Sequence, residues 1–299
     1  MPHPALALEI APDRISAARW GRAGSLEGYY IESLPAGAIV PSAVEVNVVN
    51  LPAVAPIIAK ACERLRGAGE DVALILPDPV IRVFVQQFEE FPRAADEALP
   101  LLRWKLKKSV PFEADETLIS YMRQDSREEG VNVLTALARL RIIREYESLA
   151  ETAGLVPGVV LSSSLAAITL LDDQRPTLLA RISGSALTTA IVREGAICGY
   201  RCTDLPVHGA ALSPQMLLEE VFPVAAYFQD TWHENIESVC LSGLGSRLNE
   251  FVHALEEEFH CSVRSLVQSA VSEGRVRTDA RPFIDREVDG LVGWMMHGN

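Results

Sequence analysis

The residues best placed for chemistry are a glycine between two hydroxyls, Ser183-Gly184-Ser185, closing the turn between Leu178–Ile182 and Leu187–Val192. A tight turn of this kind between strands leaves backbone N–H groups bare, and such groups can cradle a phosphate. A second glycine-bearing turn, Ser242-Gly243-Leu244-Gly245-Ser246, links the apolar run Ser238–Leu241 to the amphipathic segment Leu248–Phe259. A Gly turn between strand and helix needs no ligand to account for it. No other centre competes with these two. The sequence has no G-x-S-x-G, no G-x-x-x-x-G-K-[ST] and no H-E-x-x-H. Cys198 and Cys202, four apart on a strand, share a face, but no further Cys or His is spaced to complete a zinc set, so no metal is expected. Glu89-Glu90 and Glu256-Glu257-Glu258 read as solvated faces rather than acid–base pairs.

The first turn belongs to a hairpin, and the hairpin occurs twice. Leu6–Pro35 repeats Leu178–Pro206: Glu9 aligns with Arg181, Ile15 with Leu187 and Trp20 with Val192. After a turn one residue longer, Gly28-Tyr29 aligns with Gly199-Tyr200 and Leu34-Pro35 with Leu205-Pro206. The shared order of strand, loop, strand, turn and Gly-Tyr predicts two related halves, each begun by the same hairpin.

Composition sets the bounds. With 299 residues, 48% of them hydrophobic, the chain can bury a full core and is expected to form two domains. No run of about 18 apolar residues predicts a membrane span. The opening MPHPALALEI lacks the pattern of a secretory signal, and five scattered cysteines fit a reduced compartment. A net charge of −13 argues against nucleic acid as a partner. Against that acidity, three of the four lysines gather in Arg103-Trp104-Lys105-Leu106-Lys107-Lys108. The segment reads first as a helix end whose cations complement the dipole, and second as a contact for anionic lipid or an acidic partner.

The elements between follow from periodicity. Val46–Arg66 is predicted as a helix, Asp71–Leu76 as a buried strand stopped at Pro77-Asp78-Pro79, and Val80–Phe88 as the next strand. A helix over Ala94–Lys108 ends before Pro111-Phe112. A hairpin of Leu118–Gln124 and Val131–Ala138, turned at Asp125–Gly130, precedes a helix at Ile142–Ala153, a strand at Val156–Leu161 and a helix at Ser162–Leu171. In the second half Leu212–Asp230 is expected to be helical with an interruption at Pro223, Val263–Leu266 to be the last strand and Val288–Met296 a terminal helix.

Two hairpin-led halves with a strand, Gly-rich loop and helix in the second resemble the actin-like fold. More narrowly, the chain resembles the PilM family of type IV pilus assembly proteins. The residues that carry the likeness are Ala73–Arg82 (ALILPDPVIR), Leu102–Lys108 with Pro111-Phe112, Ala153-Gly154-Leu155 and Leu241-Ser242-Gly243, in this order along nearly the whole chain. The fold class expected is therefore α/β, a duplicated actin-like (ribonuclease H-like) fold with a small α+β subdomain inserted in the first half. The expected domains are 1–83 with 156–175 as the first half, 84–155 as the insertion and 176–299 as the second half. The resemblance further implies a cytoplasmic protein held peripherally at the inner membrane by the short cytoplasmic tail of a bitopic, PilN-like partner. A homodimer stays open. The tail's groove is expected between the first half and the insertion, with Val80, Arg82, Phe84 and Phe112 as candidates. Arg103, Lys105, Lys107 and Lys108 would then face the membrane.

Actin-like proteins hold ATP between their halves on three loops, and the resemblance allows these to be compared. The first carries an acid and then glycine; here Glu9 stands near the acid's place, but Ala11 replaces the glycine and Pro12 removes a backbone donor. In the second, Arg181 replaces the acid, though Ser183, Gly184 and Ser185 remain to meet an anion. The third, Gly243 to Gly245, is nearest the pattern, whose glycines let adenine approach the backbone. Two degenerate loops of three lead to the expectation of a non-catalytic scaffold with no resident cofactor. The alternative is an ATP-binding ATPase of the same machinery, using Glu9, Ser183, Gly184, Ser185, Gly243 and Gly245. A small-molecule kinase is disfavoured because no residue at the cleft presents as a catalytic base.

Overall fold

The computed structural model describes residues 3–21, 25–67, 69–112, 116–124, 130–171, 174–206, 211–276, 283, 286 and 288–296. Two five-stranded sheets of the same design form its body. The first runs in the order β3-β2-β1-β4-β8, with β1 at Leu6–Ile10, β2 at Arg14–Trp20, β3 at Leu26–Ser33, β4 at Asp71–Leu76 and β8 at Val156–Ser162. The second runs β11-β10-β9-β12-β13, with β9 at Thr177–Ser183, β10 at Ala186–Arg193, β11 at Ala196–Asp204, β12 at Ser238–Ser242 and β13 at Ser262–Ser265. In each, an antiparallel meander is extended by two parallel strands. The repeat reaches into fine geometry: β2 and β3 shift register at Arg19/Trp20, and β10 and β11 shift at Ile191/Val192, positions the sequence repeat aligns. A bulge at the same place in both copies is a feature of one ancestral hairpin rather than of two chance ones.

Helices cover these sheets where apolar residues recur at helical spacing. Helix α1 (Leu51–Arg64) is capped by Asn50, whose side chain accepts from the Ala53 N–H, and buries Val54, Ile57, Ile58 and Ala61. Helix α3 (Leu140–Thr152) buries Ile142, Ile143, Tyr146, Leu149 and Ala150 in the same core. Tyr146 is fully buried, and its hydroxyl donates to Asn47 Oδ1 (2.9 Å). Asn47 in turn donates to the Ser42 and Glu45 carbonyls, which organises the long segment between β3 and α1. A ring buried this way is worth about 1.5–3 kcal/mol before its hydrogen bond is counted.

A third, three-stranded sheet of order β5-β7-β6 comprises β5 (Arg82–Phe88), β6 (Thr117–Gln124) and β7 (Val131–Arg139). With helix α2 (Ala95–Leu106) it has a core of its own, built on Phe88, Phe91, Ala98, Leu102 and Val133. The Gln124 side chain ties this body to the second half by behaving as a piece of backbone. It accepts from the Ile197 N–H (2.7 Å) and donates to the Ile197 carbonyl (3.0 Å) on the edge strand β11. An amide side chain pairing with a strand edge satisfies groups that would otherwise be orphaned.

Several expectations need correction. Packing puts α3 with the first half's core, so the inserted body ends near Arg139 rather than at 155. The last helix, α8 (Asp289–Met296), leaves the second half and packs on β1, β2 and the short helix α4 (Ser163–Ala167) of the first. Pro223 does not interrupt α5, which is continuous over Pro214–Trp232; Pro223 faces solvent, where the carbonyl it leaves unpaired can be hydrated. Val80 closes a 3-10 turn at Asp78–Val80 instead of opening a strand, and the helix expected at Ser162–Leu171 stops at Ala167. Helix α7 (Leu266–Ser272), capped by Ser265, was not foreseen; α6 is at Leu248–Phe259 as its amphipathic spacing requires. Residues 125–129 of the expected turn lie outside the described residues.

Candidate functional site

Parallel strands of an open sheet direct their carboxyl ends to one edge, and in α/β proteins ligands gather there. Here β1 delivers Glu9 to that edge, β4 delivers Asp78 through the rigid Pro77-Asp78-Pro79, and β8 delivers Ser162, Ser163 and Ser164 into α4. The second half meets them with Arg181 from β9, Thr188 from β10, Tyr200 from β11 and Ser242 from β12. Asp289, at the start of α8, completes the group. Gly290 lets that helix come close: a Cβ there would stand 2.6 Å from both Glu9 Oε1 and Ser163 Oγ.

Arg181 is the centre. Its side chain is only 3% exposed and is shared by three carboxylates that are just as buried. Nε donates to Asp289 Oδ2 (2.6 Å), Nη1 to Asp78 Oδ2 (3.3 Å), and Nη2 to Ser163 Oγ (2.7 Å), Asp289 Oδ1 (3.3 Å) and Glu9 Oε1 (3.4 Å). Asp78 is further saturated by the Ser164 N–H (2.8 Å) and hydroxyl (2.5 Å), by Thr188 Oγ1 (2.9 Å) and by Tyr200 (3.4 Å). Ser242 donates to Asp289 (3.1 Å), and the Ser163 hydroxyl to Glu9. The two halves are thus pinned together through one guanidinium.

Charge within this cluster is unbalanced. One guanidinium faces three carboxyl groups, a formal sum of −2 if all are ionised. Burial weakens the hold of Arg181 on its proton, but Asp289, Asp78 and Glu9, in that order, more than offset this and keep it charged. Glu9 goes the other way: burial raises its carboxyl above the usual range, more than Arg181 lowers it, and Asp289 adds to the rise. Its Oε2 is buried without a hydrogen-bond partner, which further disfavours the charged form. The Tyr200 hydroxyl is pushed well up, first by burial and then by Asp78.

The loops flagged in the sequence lie around this cluster. Gly184, in the left-handed region at φ 63°, faces the Pro12 ring closely enough that a Cβ added there would stand 3.4 Å from it, so the turns of the two hairpins lie about one carbon's width apart. Beside them Pro12, Pro41, Pro77, Pro79, Ser183 and Ser185 line an open, mostly apolar cavity of about 390 Å³. Gly243, at φ 84°, is held by a close approach: a Cβ would meet the Ile182 carbonyl oxygen at 1.8 Å. Gly243 and Gly245 also border a separate cavity of about 550 Å³ against Ser265, Val267 and Gln268 at α7. Glu9 therefore stands apart from Gly243 and Gly245, inside a closed network instead of at a cleft mouth.

The expected partner residues are not brought together. Val80 is wholly buried in the first half's core and is unavailable to a tail. Phe84 lines a cavity of about 470 Å³ with Tyr200, Tyr227 and Trp232, between the insertion and the second half rather than between the insertion and the first. Arg82 and Phe112 are half-buried. Arg103 is half-buried, Lys107 and Lys108 are exposed, and Lys105 lies over the Phe88 ring (3.9 Å) while donating to the Gln87 carbonyl. The sequence reading found Glu9 and Arg181 but missed Asp78, Ser163, Thr188, Tyr200 and Asp289. In Pro77-Asp78-Pro79 the aspartate has the pattern of a turn residue, yet an acid fixed between two prolines is also a rigidly aimed one.

No protein-family model and no curated protein sequence matches this chain. Solved structures do. A chain of a PilM-PilN type IV pilus biogenesis complex superposes with a TM-score of 0.75 at 17% identity, covering 99% of both chains. The chain has a PilM-like, duplicated actin-like fold. The ethanolamine utilization protein EutJ from Carboxydothermus hydrogenoformans follows at a TM-score of 0.50 and 11% identity, covering 98% of this chain and 91% of that one. At such identities the likeness is one of fold. In the PilM-like frame, Arg181 and Glu9 are the equivalent positions of two repeats meeting at the junction of the halves. Among the described residues no helix is long and apolar enough to cross a membrane.

Proposed function

We propose that this chain is a non-hydrolysing scaffold of type IV pilus or related secretion assembly machinery, which holds the tail of a bitopic, PilN-like inner-membrane protein. The assembly role rests on the end-to-end likeness to a protein solved in complex with PilN. The non-hydrolysing part rests on Arg181. A magnesium-nucleotide needs carboxylates free to organise the cation and backbone donors free to meet phosphate. Here Glu9, Asp78 and Asp289 are committed to the guanidinium, Pro12 has no N–H, and the two turns that would flank the phosphates leave room for about one carbon between Gly184 and Pro12. These residues do not fit that ligand.

For the tail, the junction of the first half and the insertion offers a usable surface. Val46 and Val49 on the segment leading into α1, Leu51 at the start of α1 and Leu140 at the start of α3 are exposed there. Arg139 and Arg141 fix the segment by donating to the Val44 carbonyl (3.1 and 2.8 Å). Extended peptides bind such rims through alternate apolar side chains. Fluorescence anisotropy with labelled cytoplasmic tails of pilus inner-membrane proteins tests the reading. Saturable binding that Val49→Asp and Leu140→Asp weaken supports it, and absence of binding to any such tail overturns it.

A second reading, nucleotide binding without turnover, is favoured by the cavity at Gly243 and Gly245. Calorimetry with ATP, with and without magnesium, separates the two, since magnesium-dependent binding with turnover contradicts the role given to Arg181.

A further inference from the structure

The most exposed large apolar side chain among the described residues is Trp104, at 77%. It lies on α2, whose inward face is Ala98, Leu102 and Leu106. Two residues from either leucine, Trp104 points the opposite way. Lys107 and Lys108 follow at once, exposed just past the helix end, with half-buried Arg103 beside them and the apolar Val110-Pro111-Phe112 beyond. The nearest acids on the helix, Asp96 and Glu97, occupy its first turn, about 10–12 Å away along the axis. Glu89 and Glu90, on the connection from β5, are exposed and belong to the same subdomain.

An exposed indole is costly to leave in water and suits a boundary with an apolar and a wet side. Tryptophan gathers at the lipid headgroup level, and lysines near it are drawn to anionic headgroups. The rest of the chain sharpens the selection. With a net charge of −13, the chain as a whole is repelled by an anionic bilayer. We propose that the end of α2, Trp104 with Arg103, Lys107 and Lys108, touches an anionic lipid surface directly, apart from any tail the protein holds. Contact through one patch on an acidic body also fixes a single orientation, with the inserted subdomain toward the membrane.

Flotation with phosphatidylcholine vesicles, with and without phosphatidylglycerol, tests this on the full chain without any partner. The expected result is binding only to the anionic vesicles, lost at high salt. Lys107→Glu/Lys108→Glu should weaken it by at least about thirty-fold, at roughly fivefold per cation removed. Trp104→Ala should weaken it severalfold, and the blue shift of tryptophan emission on binding should vanish in Trp104→Phe. All these positions are exposed, so an unchanged urea midpoint shows that the variants fold. No binding above the phosphatidylcholine control, or binding that survives both sets of substitutions, overturns the proposal. So does binding to polyglutamate without binding to vesicles, which assigns the patch to an acidic protein.

Discussion

Replacing Arg181 with methionine should be among the most damaging single substitutions in this protein, and its cost should depend on pH in a specified direction. The change keeps an unbranched side chain of similar length but removes all five donor contacts to Asp289, Asp78, Ser163 and Glu9. It leaves three carboxyl groups, each at most 2% exposed, without their cation. Breaking a buried ion network from one side costs about 3–5 kcal/mol. For a chain of this size that lowers Tm by roughly 6–20 °C. Without the guanidinium, the folded-state affinity of these carboxyls for protons must rise, so the variant loses stability as pH climbs and recovers some as it falls. Urea denaturation of both proteins at pH 5 and pH 8, with m-values compared to confirm the same unfolding, reads this directly. A cost under about 1 kcal/mol, or one equal at the two pH values, refutes the view that Arg181 neutralises the cluster and pins the halves together.

Other consequences follow from the same contacts. Glu9 has a folded pKa raised above 4.5, so its contribution to stability is fully present below that value and lost as pH rises through the folded one; Glu9→Gln should flatten this slope in urea titrations. Gly293→Ala should destabilise by about 2–4 kcal/mol, because the new Cβ would sit 2.0 Å from the Ala166 carbonyl oxygen and force α8 off α4; thermal melts check it. Gln124→Ala leaves the Ile197 N–H and carbonyl unpaired at a cost of about 2–3 kcal/mol, with faster amide exchange expected at Ile197 itself. The Cys202 thiol, pushed up to about 12 by burial first and by Asp78 next, should alkylate far more slowly than a free cysteine at pH 8.

What the sequence revealed was whatever repeats. The paired hairpins and the helical stripes of α1, α3 and α6 are local patterns, and local patterns survive without coordinates. The site was legible only where it coincided with the repeat, at Glu9 and Arg181. Asp289 lies 108 residues from Arg181, on a helix that crosses back to the first half, and no spacing rule connects the two. Val80 misled for a related reason. A valine opening an apolar run looks the same whether it ends in the core or on a groove, and here the 3-10 turn rotates it inward.

Duplication itself explains why the network is where it is. Two copies of one hairpin, packed face to face, bring equivalent side chains together near their common axis. If both carried an acid, the pair would face Asp78 and Asp289 across a dry junction, and four carboxyl groups would require an external cation. One copy carries Arg181 instead, and the junction supplies its own positive charge. The neutral hydroxyls of Ser163, Thr188 and Tyr200 donate to further carboxylate oxygens, and only Glu9 Oε2 among the network's carboxylate oxygens is buried without a partner. Closure of the halves then depends on residues of the chain itself. That is the arrangement the scaffold role proposed above calls for.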